Sequence, residues 1–121
     1  MNPKQEYKKL INSFKYAIEG FISSFKTERN MKIHIFAMVL VVILGTYLKL
    51  SQIEWCFIIF AIILVIGSEL FNTAIETIVD MICTEKNPKA KLAKDIAAAA
   101  VLAFALGAAI IGCIIFIPKM L

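Results

Sequence analysis

Four polar side chains, Glu69, Asn72, Glu76 and Asp80, follow one another at spacings of three, four and four in the stretch GSELFNTAIETIVD, Gly67 to Asp80. On a helix those spacings stack all four on one face. The stretch continues an apolar run that begins at Trp55. A carboxylate near the middle of a membrane helix costs about 3 kcal/mol on insertion scales, so such a stripe marks a functional site by default. Lys94 and Asp95 open the next apolar segment and should arrive at a similar depth. Three uses suit this set: binding a divalent cation, transferring a proton, or holding helices together. Mg²⁺ is commonly held by one or two carboxylates together with substrate phosphates, and a partly buried glutamate is a candidate general base. The basic stretch beside the stripe would suit a nucleotide, yet the chain has no G-x-x-x-x-G-K-[ST] loop, kinase Gly-rich loop or dinucleotide fingerprint. Spacing by itself leaves the three uses open.

The elements that must position these residues are membrane helices. The chain has 121 residues, enough for a single domain spanning 1–121, and 60% of them are hydrophobic. With a mean hydropathy of +0.82, it lies outside the range of water-soluble globular chains. The first long apolar run starts at Ile33 behind a charged leader. A cleaved signal peptide does not fit that order, so the mature protein is expected to start near Met1. Cys56, Cys83 and Cys113 show neither a C-x-x-C pair nor metal-ligand spacing, and are read as apolar packing residues.

The net charge of +4 could suggest nucleic acid, but its distribution argues against that partner. Of 13 Lys and Arg residues, seven lie between Lys4 and Lys32 and four between Lys86 and Lys94. That alternation follows the positive-inside rule for three spans, with the N-terminus and the second loop cytoplasmic. The basic groups then face anionic lipid headgroups or phosphates.

Along the chain, Leu10, Phe14, Ala17, Ile18, Phe21, Ile22 and Phe25 recur at helical spacing, which predicts an amphipathic helix over about 5–26 on the cytoplasmic membrane surface. Thr27 to Lys32 reads as a polar link. Transmembrane helices are expected over about 31–48, 54–82 and 95–117. Trp55 to Gly67 supplies only 13 apolar residues, so the striped half must complete the crossing of about 30 Å of hydrocarbon. The stripe should therefore run as a ramp, with Glu69 deepest and Glu76 and Asp80 emerging toward the cytoplasm. Cys83 to Lys94 reads as a polar loop broken at Asn87-Pro88, with Asp95 capping the third span. The Ala- and Gly-rich start of that span allows close helix approach. His34, at the start of the first span, reads as an interfacial hydrogen-bonding residue.

Two strings are specific: Glu69-Leu-Phe-Asn-Thr-Ala-Ile-Glu-Thr-Ile-Val-Asp80 and Ala93-Lys-Asp-Ile-Ala-Ala-Ala-Ala-Val101. Together with the three-span layout, they closely resemble the small bacterial integral-membrane diacylglycerol kinase family, which includes the undecaprenol kinases of Gram-positive bacteria. The resemblance implies an all-α membrane protein, a surface helix plus three transmembrane helices assembling as a homotrimeric bundle in the bacterial cell membrane. It implies an active site at the cytoplasmic interface that transfers the γ-phosphate of ATP, with Mg²⁺, to a lipid alcohol.

Carried over to this chain, the resemblance makes Glu69 the general base, and Glu76 with Glu28 the metal-binding carboxylates. Tyr16, Asn72, Asp80, Glu85, Lys94 and Asp95 match the positions that shape the site and hold nucleotide. Phosphoryl transfer chiefly needs positioned charge, which such a set can supply. The chain departs from the Gram-negative pattern at Lys9, which stands where an arginine contacts nucleotide, and at Lys86 and Asn87. The segment Glu28-Arg-Asn-Met-Lys-Ile-His34 resembles the Gram-positive branch and points to undecaprenol, with diacylglycerol as the alternative acceptor. A small proton- or ion-conducting oligomer is a more distant reading, one that leaves Lys94 and Asp95 without a task.

Overall fold

Helix boundaries follow the capping residues. The computed structural model describes residues 1–121 as four helices: α1 (Pro3–Thr27), α2 (Arg29–Tyr47), α3 (Gln52–Ile82) and α4 (Pro88–Met120). Before α1, the Asn2 side chain accepts from the Gln5 amide at 2.9 Å while the Gln5 side chain accepts from the Asn2 amide at 3.2 Å. Ser51 and Glu54 build the same reciprocal box before α3, at 3.2 and 2.9 Å. Asn87 caps α4 by accepting from the Lys89 amide at 2.8 Å, and Pro88 occupies the first helical position. α2, α3 and α4 are each long and apolar enough to cross a membrane.

Two expected connections prove shorter than the sequence suggested. Asn87-Pro88 starts a helix instead of breaking one, because proline at the first helical position lacks only an N–H that would be unpaired there anyway. The link between α3 and α4 is therefore 83–87, and Asp95 lies two turns inside α4, where it caps nothing. Between α1 and α2 only Glu28 is non-helical, with φ −106° and ψ 117°. Arg29 to Leu44 contains no Gly or Pro, so the helix restarts at once.

The turn from α2 to α3 closes on a Schellman motif. The Leu50 amide donates to the Gly45 carbonyl at 3.2 Å and the Lys49 amide to that of Thr46 at 3.3 Å, with Lys49 in the left-handed region at φ 55°. This geometry folds Leu50 back into a cluster with Ile58, Ile115 and Phe116, against which Leu44 and Trp55 pack. A Cβ on Gly45 would stand 2.8 Å from Trp55 Cη2 and 2.9 Å from Leu50 Cδ1. Gly45→Ala is therefore expected to destabilise the protein by about 1–3 kcal/mol. The check is a lower melting temperature in detergent, with the activity of the folded fraction retained.

α3 and α4 form an antiparallel hairpin, the most extensive packing in the chain. It is pinned at one end by Lys119 and Glu54, 3.1 Å apart, and at the other by Lys94 and Asp80. Only 14 of 121 residues are buried, so broad apolar faces are left for lipid or for further copies. Cys56 and Cys113 lie on such faces as free thiols, and are not packed inside the chain as their apolar setting suggested. At 31 residues, α3 is about 46 Å long. It exceeds the hydrocarbon layer, and the striped end has the length to project from it.

Candidate active site

Burial falls steadily along the stripe on α3. Glu69 is 0% exposed and Asn72 4%, Glu76 is half-buried and Asp80 is exposed. Enclosure within the chain thus falls in the order in which these residues follow one another along α3. At its closed end neither oxygen of the Glu69 carboxylate has a hydrogen-bond partner, and neither does Oδ1 of Asn72. The Asn72 amide instead donates to Glu76 Oε1 at 3.4 Å, which orients that carboxylate one turn further along.

The corner between α1 and α2 is tied to the same level of α3. The Thr73 hydroxyl donates to the Glu69 carbonyl at 3.0 Å. Its oxygen is then free to accept from the buried hydroxyl of Ser24 on α1, also at 3.0 Å. Four residues beyond Ser24 lies Glu28, at the break between the helices. The charges of Glu28 and Glu76 both act on Glu69.

On α2, Nε2 of His34 approaches Glu69 Oε2 to 3.7 Å. His34 also stands at the polar end of a cavity of about 220 Å³ between α2, α3 and α4, whose wall is otherwise apolar. No other Lys, Arg or His nitrogen comes within 4.0 Å of Glu69.

The open end of the stripe is organised differently. Asp80 pairs with Lys94 across the α3–α4 hairpin, and the charge of Glu76 also reaches Lys94. Asp80, Glu85, Lys86, Asn87, Lys91 and Lys94 line a polar cleft of about 850 Å³. Asp95 does not join Glu76 and Asp80. It pairs with Lys91 one turn back along α4, at 2.6 Å on the exposed surface. Tyr16 is likewise not brought to Glu69 within one chain, but lines a separate polar groove on α1 with Lys8, Lys9 and Asn12.

No three His, Cys, Asp or Glu side chains form a ready-made metal cage. The unpartnered donors are all oxygen atoms, the type that hard divalent cations take. Glu76, bonded to the Asn72 amide, and Glu28, whose charge acts on Glu69, are the carboxylates with charge to offer.

The model of a family described as prokaryotic diacylglycerol kinase matches residues 15–116, most of the chain and every element of this site except the start of α1. The chain belongs to that family. This family member is 43% identical over 117 residues to the undecaprenol kinase of Bacillus subtilis, covering 97% of this chain and 95% of that one. It is 39% identical over 113 residues to a diacylglycerol kinase of Synechocystis, covering 93% of this chain and 65% of the relative. To a diacylglycerol kinase of Haemophilus influenzae it is 38% identical over 92 residues, covering 76% and 78%. As a member of that family, the chain is a lipid kinase and a multi-pass membrane protein, and a kinase family implies ATP as phosphoryl donor.

Two participants were not legible as such in the sequence. Its position in the sequence marks His34 only as an interfacial residue, and nothing in the sequence marks Ser24. Each meets the stripe only because α1 and α2 fold back onto α3, a register that no local spacing encodes.

Proposed function

We propose that this family member transfers the γ-phosphate of ATP to the terminal hydroxyl of undecaprenol at the cytoplasmic face of the bacterial cell membrane. The observation that carries the reading is Glu69: a fully enclosed carboxylate with no hydrogen-bond partner, beside an apolar cavity. A carboxylate serving as helix glue would be bonded to a neighbouring helix, since a buried charge left unpaired only destabilises. One that must accept a proton from an incoming lipid alcohol has to be left free.

Glu69 acts as the general base and takes the hydroxyl proton as the acceptor oxygen attacks. Glu28 and Glu76 are the carboxylates that would hold Mg²⁺, whose chemistry when bound is to offset charge on the phosphate oxygens. Asn72 keeps Glu76 oriented through its amide. Lys94, placed by Asp80, supplies positive charge to the phosphates, Glu85 lines the polar cleft on the nucleotide side, and Asp95 stands outside its lining and holds Lys91, which belongs to it.

Tyr16 lies on a separate groove, and large apolar side chains such as Leu102, Leu106, Ile110 and Ile114 are exposed along α4. Both features support a homotrimer in which neighbouring chains cover these faces and complete each nucleotide site, with α1 resting on the cytoplasmic surface. Positive charge gathered from α1 to the first turn of α2, and from the α3–α4 link into the first turns of α4, supports that orientation.

Undecaprenol is favoured over diacylglycerol by the near full-length match to an undecaprenol kinase and by the segment Glu28 to His34. The test compares the two lipids side by side in the same bilayer, using purified protein and ATP with Mg²⁺. A higher kcat/KM for undecaprenol is expected. A clear preference for diacylglycerol would reverse the assignment of acceptor while leaving the kinase chemistry intact.

A further inference from the structure

A base that works more than once must lose the proton it gains, and Glu69 is fully enclosed. Its surroundings offer few ways out. Asn72 is an amide and carries no titratable proton. The cavity wall nearby, including Ala37, Ala61, Val65 and Ala105, is apolar. Glu28 and Glu76 are the carboxylates assigned to the metal. The remaining neighbour is the His34 ring, with Nε2 at 3.7 Å and a side chain 18% exposed against 0% for Glu69. It therefore bridges the closed end of the stripe and the outside. It lies about one and a half turns along α2 from the charged corner at Glu28 and Arg29.

We propose that His34 is a positioning residue for Glu69 that also serves as its proton exit. The proposal rests on the reading of Glu69 as general base. In the transfer step the acceptor O–H bond breaks as its oxygen bonds to the γ-phosphorus, and the bond from that phosphorus to the β,γ-bridging oxygen breaks to release ADP. The hydroxyl proton passes to Glu69. An imidazole carrying its proton on Nδ1 presents Nε2 as an acceptor. His34 takes the proton there and releases the Nδ1 proton to water, which returns Glu69 to its carboxylate form; between turnovers the ring gains a proton from water at Nδ1 and gives the Nε2 proton to water, restoring the starting tautomer. The separation of 3.7 Å is beyond hydrogen-bond range, and catalytic contacts of this kind tighten when substrate fills the site.

The test uses the full chain in lipid bilayers, with whichever of undecaprenol and diacylglycerol the wild type turns over faster. His34→Ala is expected to lower kcat by roughly 10²-fold with KM for lipid and ATP little changed. Added imidazole should restore part of the rate, saturably. His34→Gln, which fills the same space but cannot relay a proton, should show the same loss of kcat, and it carries the test if the alanine variant fails to fold. Wild-type kcat in His34→Gln would overturn the proposal, as would a loss in His34→Ala that appears in KM and is indifferent to imidazole. Glu69→Gln, measured alongside, separates the two ideas. If it is inactive with and without imidazole while the His34 variants behave as wild type, the base stands and the exit falls. If Glu69→Gln keeps wild-type activity, the base itself falls.

Discussion

Glu69→Gln is expected to lower turnover by roughly 10²–10⁴-fold, the range associated with loss of a general acid–base group, without loss of folded protein. Glutamine keeps the size and shape of the side chain but cannot accept the acceptor's proton. The stability half of this expectation follows from geometry. Neither carboxylate oxygen of Glu69 has a hydrogen-bond partner, so the substitution removes no bond, and it relieves the enclosure of a charge that lies near two others. The melting temperature should hold or rise. A structural role predicts the reverse pattern, with the assembly weakened and the surviving folded protein still active. Turnover at saturating lipid and ATP, together with thermal unfolding in the same detergent, distinguishes the two.

Glu76→Gln is expected to act on the metal requirement. The Mg²⁺ concentration giving half-maximal rate should rise by at least about 10–100-fold, since loss even of an outer-shell partner of a metal costs that much. Oε1 of the glutamine can still accept from the Asn72 amide, as Glu76 Oε1 does at 3.4 Å. The variant therefore removes charge while sparing the local hydrogen bond. Glu28→Gln should behave in the same way, although Glu28 reaches the site from the corner of α1 and α2. An unchanged Mg²⁺ dependence in both variants would remove these carboxylates from the metal and leave them as groups that merely surround Glu69.

The spacing of Glu69, Asn72, Glu76 and Asp80 already contained the ramp, because one helical periodicity governs both which face a residue occupies and how far along the helix it lies. The three long apolar helices were legible for a similar reason: the bilayer demands length and apolarity together. Contacts between helices were not legible. That His34 would reach Glu69, that Ser24 would reach Thr73, and that Lys119 would meet Glu54 all depend on the relative register of helices distant in sequence. Asp95 is not the cap because Asn87-Pro88, which reads as a breaker inside a polar stretch, is also a strong helix start. Asp95 was then free to pair with Lys91 on the surface. Tyr16 marks a different boundary: family resemblance assigns it to nucleotide, and a single chain holds it on a separate groove.

The most direct measurement follows label from the γ-phosphate of ATP into lipid, using purified, folded protein in bilayers containing undecaprenol, with and without Mg²⁺. Label should appear in undecaprenyl phosphate only when Mg²⁺ is present, and should be nearly absent when Glu69→Gln replaces the wild type. No transfer to undecaprenol or to diacylglycerol by protein shown to be folded, or equal transfer by wild type and Glu69→Gln, would contradict phosphoryl transfer at the enclosed end of this stripe.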